Sequence, residues 1–202
     1  MELTLLREQD ATTLWDFETQ HRTYFESWIR PRPETFYTPH GFDTALQAAL
    51  LEQATGHAFH YLAWVGGELV GRISLLQVQR HPVPSATLHY RIAPQHSGQG
   101  LASQAVQLVM QKAFHTHGLQ RLDASAHPDN PASVRVLLKN GFQPHGHSLA
   151  RPQLHRQWLD WQYFEACAPA APVHRSDAGD GTRTRTALAR SRQHSGTMPR
   201  KK

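Results

Sequence analysis

The chain has 202 residues, which is long enough for one domain with a substantial hydrophobic core. Its single cysteine, Cys167, excludes an internal disulfide framework and favours a reducing compartment, so we expect a cytoplasmic protein. The N-terminus has no basic segment followed by a long apolar run, and no stretch is apolar for long enough to span a bilayer. We therefore expect neither a signal peptide nor a membrane-inserted segment.

The net charge of +5 belongs to the C-terminal segment. Residues 166–202 contain eight Lys or Arg and two Asp or Glu. Residues 1–165 contain 13 Lys or Arg and 14 Asp or Glu and are therefore nearly neutral. The folded part therefore lacks the positive footprint of a nucleic-acid-binding protein. Segment 166–202 is rich in small and polar residues and has few large apolar ones, which predicts a disordered basic tail. Such a tail would contact nucleic acid or another anionic surface only weakly.

The first predicted elements are a strand and two helices. Residues 2–6 fit a short strand, and Asp10 is suited to cap a helix whose aromatic and aliphatic residues recur at helical spacing until Pro31. Asp43 is suited to cap a second helix, which Gly56 ends.

The pattern then changes to the alternation typical of strands. Two alternating runs, 59–65 and 69–76, flank Gly66-Gly67 and predict a hairpin, and a third strand follows over 86–92. The remaining elements are predicted as a helix, a strand, a helix and two strands, over residues 101–117, 119–126, 131–140, 142–149 and 157–165.

A glycine-rich turn, Gln95-His96-Ser97-Gly98-Gln99-Gly100, lies between the strand 86–92 and the helix that begins at Leu101. Such a turn presents backbone N–H groups and a partial positive charge to an anion, so it predicts a phosphorylated cofactor. No Lys-Ser or Lys-Thr follows it, which excludes a Walker loop. A dinucleotide-binding fingerprint would have a third glycine at the position of Ser103, which argues against this class of site. Asp123, however, lies near the distance at which such proteins place an acidic residue that binds the ribose. A dinucleotide-dependent oxidoreductase is therefore one alternative.

Asn130 and Ser133 lie three residues apart in the first turn of a predicted helix and therefore share a face. Both residue types commonly cap helices, which accounts for them structurally. The alternative is a functional amide and hydroxyl beside a helix N-terminus.

These segments carry a family resemblance. Gln95–Gly100 is similar to the motif Q/R-x-x-G-x-G/A that binds the acetyl-CoA pyrophosphate in the GNAT superfamily of N-acetyltransferases. Asn130–Phe142 resembles the second signature of its Rim-type branch, the enzymes that resemble ribosomal-protein alanine N-acetyltransferases. Gly71 and the run Leu88-His89-Tyr90 stand where that branch keeps an I-G strand and a G-Y strand, with His89 replacing the usual glycine. The resemblance covers about residues 2–165 and excludes the tail.

The resemblance implies a GNAT fold over residues 1–165, an α/β fold with a mixed, mostly antiparallel central sheet flanked by helices. It also implies transfer of an acetyl group from acetyl-CoA to a primary amine by direct attack. The acceptor would be a protein N-terminal α-amine or a small-molecule amine, and the enzyme would be a monomer or a homodimer. The alternative is a non-catalytic CoA-binding module that docks on an anionic partner through its basic tail.

The resemblance further implies where the coenzyme binds. The backbone of Arg91 and Ile92 would pair with the pantetheine arm, Asn130 would bind the lower part of the cofactor, and Ser133 would lie near the thioester sulfur. The pyrophosphate would contact the backbone N–H groups of Gln95, His96, Ser97, Gly98, Gln99, Gly100, Leu101 and Ala102.

The chemistry needs few groups. A base or a water chain must take a proton from the ammonium before the amine can attack, and a backbone N–H can stabilise the oxyanion. The departing thiolate needs modest help, which the Ser133 hydroxyl could supply. The strand before the turn offers His89 and Tyr90 as candidate bases, and the last strand offers Asp160 and Glu165.

We expect no metal in this site, because direct transfer needs neither a metal nor an enzyme nucleophile. The histidine pairs at 115–117 and 145–147 lack the spacing of a zinc motif and have no accompanying cysteine pair. The irregular segment 28–38, with its prolines and aromatic residues, either packs into the core or forms a wall of the acceptor site.

Overall fold

Seven strands form a single sheet in the computed structural model, which describes residues 1–127, 129–154 and 157–169. The strands are β1 Glu2–Leu5, β2 Phe59–Val65, β3 Glu68–Gln79, β4 Ser85–Ile92, β5 Arg121–Ala126, β6 Gln143–Leu154 and β7 Gln157–Cys167. They lie in the order β1-β2-β3-β4-β5-β7-β6, and β4 and β5 alone are parallel neighbours. The predicted α/β architecture with a mixed, mostly antiparallel sheet is confirmed.

Five α-helices cover the sheet in the described residues. They are α1 Ala11–Gln20, α2 Arg22–Glu26, α3 Pro39–Ala54, α4 Leu101–Gln111 and α5 Pro131–Lys139, and a π-helical turn, Lys112–Thr116, extends α4. Within the described part of the chain, no helix combines the length and the apolar character needed to cross a bilayer.

The sheet separates two hydrophobic cores, because successive strand residues point to opposite faces. Tyr61 and Ala63 of β2 join the core formed with α4 and α5, whereas Leu62 between them joins the core formed with α1, α2 and α3. On β3 the buried Ile73 belongs to the α4–α5 side, so its neighbour Arg72 is directed to the α1–α3 side. A charged residue in the middle of a central strand therefore lies under the N-terminal helices.

The two central strands β4 and β5 pair over only three residues and then diverge. Beyond these pairs, β4 continues to Ile92 against β3, and β5 continues to Ala126 against β7. The three pairs are Ser85 with Arg121, Ala86 with Leu122, and Thr87 with Asp123. A cleft therefore opens between the strands, and backbone groups of both strands face it.

The first helical segment differs from its prediction in two ways. Asp10 occupies the N-cap position of α1, but its carboxylate accepts the backbone N–H of Arg7 at 2.9 Å and makes no capping bond to the helix. The single helix predicted up to Pro31 is also broken at His21, where α1 ends and α2 begins. The apolar face continues through the break, which is why spacing alone did not reveal it.

The predicted cap of the second long helix is wrong. Thr38 caps α3, since its Oγ1 accepts the Gly41 N–H at 3.1 Å, and the helix begins at Pro39 rather than at Asp43. Proline and glycine disfavour helix interiors, so they suggested a later start. Proline is nevertheless favoured in the first turn, where its missing N–H costs nothing.

Other local predictions are confirmed. Gly66 and Gly67 adopt φ of +58° and +84°, as expected for a tight hairpin turn between β2 and β3. Strand β7 extends to Cys167, past the predicted domain boundary at 165, and one compact unit spans Met1–Pro169. The predicted disordered tail lies outside the described residues from position 170 onward.

Candidate active site

The glycine turn leads directly into the N-terminus of α4. Gly98 and Gly100 have φ of +76° and +78°, a backbone conformation that glycine adopts at no steric cost. A Cβ at either position would meet no atom of the described residues within 4 Å, so open space lies above the turn. The first N–H groups of α4 have no partner within the helix. This exposed turn is therefore suited to bind a phosphate group.

Side chains from two other elements hold the turn in place. His96 Nε2 lies 3.1 Å from Glu68 Oε1 of β3, and Ser97 Oγ lies 3.3 Å from the Tyr24 hydroxyl of α2. Within the turn, Gln99 Nε2 donates to the Gln95 carbonyl oxygen at 3.0 Å. These contacts fix the shape of the turn, and its exposed backbone is available to a ligand.

The end of β4 forms one wall of the cleft. Gly71 of β3 pairs with Ile92, and a Cβ at Gly71 would collide with Ile92 Cδ1 and lie 2.8 Å from the Arg91 carbonyl oxygen. Glycine at position 71 therefore allows β3 to pack closely against the last residues of β4. The opposite edge of β4 beyond Thr87 has no strand partner in the described residues, so an extended ligand can pair with it.

Tyr90 and Ser133 meet on the α5 side of the cleft. The Tyr90 hydroxyl lies 2.7 Å from Ser133 Oγ and donates to the Ser133 carbonyl oxygen at 3.2 Å. Asn130 Oδ1 accepts the Ser133 N–H at 3.0 Å, so this amide caps α5 as predicted. Burial raises the pKa of Tyr90 to about 12, which keeps the phenol protonated at neutral pH.

His89 faces the opposite side of the sheet from Tyr90. Its ring lies on the α1–α3 side beside Arg91, so the three residues predicted for catalysis are divided between the two faces. Loss of solvent and the positive charge of Arg91 lower the pKa of His89 below its ordinary value of 6.5. The imidazole is therefore neutral at pH 7 and able to accept a proton.

A buried ion cluster under α1 was not predicted from the sequence. Glu18 is fully buried and receives hydrogen bonds from three guanidinium groups. The contacts are Arg91 Nη1 to Oε2 at 2.6 Å, Arg72 Nη1 to Oε1 at 3.1 Å, and Arg32 Nη2 to Oε1 at 3.3 Å. One sequence signal did exist, since Glu18 lies on the apolar stripe of the first helix, one turn after Leu14.

The charges in this cluster shift one another's pKa values. Burial raises the pKa of Glu18, but the charges of Arg91, Arg72 and Arg32 outweigh it, and the pKa lies below the ordinary value of 4.5. Burial lowers the pKa of Arg91 to about 10 and also lowers that of Arg72, against the opposing attraction of Glu18. The carboxylate of Glu18 is thus ionised at neutral pH, and Arg91 keeps its charge there.

These arginines line a cavity of about 340 Å³ between the sheet and α3, which we call the arginine pocket. Other lining residues include His60, Ser74, His89, Glu52 and Ala49. Arg32 brings the segment 28–38 into this wall, so the interpretation of that segment as part of a pocket is supported, while Phe36 of the same segment is buried in the core. The pocket shares β4 with the cleft.

A second group of titratable side chains lies on β5, β6 and β7. Asp123, His145 and Glu165 each place one potential metal ligand within 4.8 Å of the others. Arg121 forms an ion pair with Asp123 at 3.2 Å, which supplies a positive charge to this group. Glu165 therefore lies among polar groups on β7, which β5 separates from β4, while the side chain of Asp160 is outside what the structure describes.

A helix N-terminus with an open glycine turn, beside two diverging central strands, fits the acyl-CoA site that the resemblance implies. Residues 1–143 match the family model described as Acetyltransferase (GNAT) domain. The probable N-acetyltransferase YjcK of Bacillus subtilis (strain 168) is 28% identical over 166 residues, covering 81% of this chain and 92% of that protein. The ribosomal protein uS5-alanine N-acetyltransferase of Escherichia coli (strain K12) is 25% identical over 158 residues, covering 77% and 81%. RimJ of Mycobacterium smegmatis, solved in complex with CoA-disulfide, has a TM-score of 0.75 at 21% identity, covering 82% of this chain and 81% of that one.

The chain belongs to the GNAT acetyltransferase family and is an acetyl-CoA-dependent N-acetyltransferase. The resemblance to the Rim-type branch is confirmed by the uS5-alanine enzyme and by the ribosomal-protein-serine acetyltransferase of Escherichia coli (strain K12), which is 25% identical over 143 residues, covering 70% of this chain and 78% of that protein. The oxidoreductase alternative is wrong, because the family match includes the glycine turn. The alternative of a non-catalytic CoA-binding module receives no support from the comparisons.

Proposed function

We propose that acetyl-CoA lies along the free edge of β4 and that the acceptor amine enters from the arginine pocket on the other face of the sheet. One observation carries this proposal: the pairing of β4 with β5 stops at Thr87, and the resulting cleft has the glycine turn near one end. The acetyl group would then lie where both faces of the sheet are accessible.

The coenzyme contacts follow from this arrangement. Backbone N–H groups from Gln95 to Ala102 would bind the pyrophosphate, and the backbone of Arg91 and Ile92 would pair with the pantetheine amides. The open space above Gly98 and Gly100 supports this assignment. The side-chain oxygen of Asn130 caps α5, so only the side-chain amide nitrogen is left for a contact with the coenzyme.

Direct transfer requires one proton to leave the amine and one to reach the sulfur. The amine nitrogen attacks the thioester carbonyl carbon, and the C–S bond breaks when the tetrahedral intermediate collapses. We assign Ser133 as a hydrogen-bond donor that stabilises the departing thiolate, which then takes its proton from solvent, and Tyr90 positions the serine hydroxyl through their 2.7 Å contact. Tyr90 is poorly suited to be the base, because its raised pKa favours the protonated phenol.

His89 is our choice for the group that accepts the ammonium proton. It lines the arginine pocket, and its lowered pKa supports a neutral imidazole at pH 7. Glu165 is the second candidate, because it lies on β7, which pairs with β5 beside the cleft. A backbone N–H on the free edge of β4 would stabilise the oxyanion.

The acceptor remains either a protein N-terminal α-amine or a small-molecule amine, and the relatives named as ribosomal-protein acetyltransferases favour the first. We place the reaction in the cytoplasm on the basis of the single cysteine. We further propose that the enzyme is a monomer or a homodimer and that it holds no metal. Its basic tail would contact nucleic acid weakly at most.

The test is acetyl-CoA-dependent thiol release by the full chain with a panel of primary amines. The panel contains peptides with the N-terminal sequences of ribosomal proteins, free small amines, and matched peptides whose N-terminus is already acetylated. We expect thiol release with some free amines and none with the blocked peptides. CoA binding without amine-dependent thiol release across the panel would overturn the proposed transfer.

A further inference from the structure

The polar side chains that line the arginine pocket are mostly hydrogen-bond donors, and they stand beside apolar residues of α3 and Leu76. Arg32, Arg72 and Arg91 each direct a guanidinium group toward it, and their side chains are only 26%, 14% and 21% exposed. Guanidinium groups cannot accept hydrogen bonds, so a ligand that satisfies them must provide oxygen acceptors. The volume of about 340 Å³ matches a small organic group or the end of a peptide.

The charges in the pocket do not balance. Glu18 is 0% exposed and neutralises one of the three guanidinium groups. The other acid on the lining, Glu52, is 57% exposed on the rim, where solvent screens its charge. Positive charge without a counterion is costly in a site with little solvent, and a bound anion removes this cost.

Two buried donor atoms of the pocket make no hydrogen bond within the described residues. They are Arg32 Nε and His60 Nε2, and the exposed Glu52 carboxylate lies 3.9 Å from His60 Nε2, beyond hydrogen-bond distance. His60 Nδ1 lies 3.3 Å from Arg72 Nη2, which can only donate, so Nδ1 accepts and the ring proton resides on Nε2. Ser74 Oγ lies 2.9 Å from the same Nδ1 and is able to donate to it. Unpaired buried donors beside excess positive charge indicate an absent acceptor group.

We propose that the acceptor of this enzyme carries an anionic group, a carboxylate or a phosphate, near its amine, and that Arg32, Arg72 and Arg91 bind this group in the arginine pocket. The inference rests on the proposed function, since it places the acceptor on this face of the sheet. The planar guanidinium groups suit bidentate contacts to either anion. The alternative is that the cluster only fastens α1 to the sheet, in which case the anion on the acceptor would make no difference.

The first experiment compares matched acceptors that differ in one charge. Peptides that begin with Asp are compared with peptides that begin with Asn, and phosphoethanolamine is compared with ethanolamine. We expect kcat/KM to be about tenfold or more higher for the anionic member of at least one pair, as one charged hydrogen bond is enough to produce. The peptide and small-molecule arms distinguish the two sources of the anion. Equal kcat/KM within both pairs would overturn the proposal and leave acetyl transfer intact.

The second experiment uses variants that keep the fold. Arg72 and Arg91 are the closest partners of the buried Glu18, so we choose Arg32, whose Nη2 is farther away at 3.3 Å. Arg32→Gln should reduce the ratio of anionic to neutral kcat/KM about tenfold, and Arg32→Lys should restore part of it. Arg30→Gln is the matched control, because Arg30 is exposed in the same segment and should leave the ratio unchanged. An unchanged ratio in Arg32→Gln would contradict the proposal.

A binding measurement separates this proposal from the proposed function. Inorganic phosphate is titrated into the full chain saturated with CoA, so that the coenzyme site is occupied. We expect phosphate to raise the melting temperature of the wild type and of Arg30→Gln more than that of Arg32→Gln. This result would support the anion site even if no amine supports thiol release. Equal shifts in all three proteins would mean that the pocket does not bind the anion.

Discussion

The two sides of the central cleft are built from different parts of the chain. The proposed pyrophosphate site consists of consecutive residues, Gln95 to Ala102, which present backbone groups to solvent. The arginine pocket depends on side chains from four separate segments, and its Glu18 is completely buried. A site made of backbone groups requires only a local backbone conformation. A site made of side chains from distant segments forms only when the tertiary structure brings those segments together.

The difference predicts where substitutions act. A change in the glycine turn should affect ligand binding and leave the fold intact, because the turn is exposed and contributes little to either core. A change in the buried ion cluster should affect the fold, because α1, β3 and β4 meet there. The predictions below test this contrast in order of expected size.

Glu18→Gln should have the largest effect. Removal of one charge leaves Arg32, Arg72 and Arg91 without their common counterion, which we expect to lower the free energy of unfolding by about 3–5 kcal/mol. Urea unfolding measures this loss. Glu8→Gln, at an exposed position, is the control and should change stability by less than about 0.5 kcal/mol. Equal stability of the two variants would contradict the structural importance of the cluster.

The same substitution should change the pH dependence of stability. The pKa of Glu18 in the folded state lies below its ordinary value of 4.5, so its ionised form contributes fully at higher pH. This contribution is lost as the pH falls from about 4.5 through the lowered pKa. The wild type should therefore lose stability in this range more steeply than Glu18→Gln. Parallel curves would mean that Glu18 does not titrate as the ion cluster requires.

Gly100→Asp should weaken CoA binding by about 100-fold or more without unfolding the protein. Asp tolerates the positive φ of this position better than most residues, but its carboxylate would repel the pyrophosphate. Gly100→Asn has nearly the same shape without the charge and serves as the control, with a smaller loss of affinity. Calorimetric titration with CoA measures both. Equal affinities for the two variants would show that no phosphate lies at this turn.

The contrast also explains what the sequence could predict. The glycine turn and the Asn130 cap depend on residues that are close in the chain, so a short pattern was sufficient. The arginine pocket combines residues 18, 32, 72 and 91, and no local pattern relates them. The position of Glu18 on an apolar stripe indicates a buried partner but does not identify it. The predicted strand 86–92 already implies that the adjacent His89 and Tyr90 face opposite sides of the sheet, but only the structure shows which side holds the arginine pocket.

Ser133→Ala should lower kcat about tenfold while CoA affinity stays within about twofold, because it removes the hydrogen bond that stabilises the departing thiolate. Tyr90→Phe should lower kcat by a similar or smaller factor, because the phenol acts through Ser133 at 2.7 Å. The double variant should be no slower than about the Ser133→Ala variant, since the two groups act as a unit. Stopped-flow thiol release measures each rate. A loss of melting temperature with unchanged kcat in Ser133→Ala would mean that the residue serves only the helix.

His89→Gln should have the smallest effect, a few-fold decrease in kcat/KM near pH 7, because water can carry the proton in its place. The more specific expectation concerns the pH profile. The pKa of His89 is lowered below 6.5, so the neutral imidazole persists to lower pH, and the acidic limb of kcat/KM should lie below pH 6.5. His89→Gln should remove that limb, whereas Glu165→Gln should retain it. If Glu165→Gln removes the limb and His89→Gln retains it, Glu165 on β7 is the base instead of His89 on β4. The acceptor would then approach past β5 rather than through the arginine pocket.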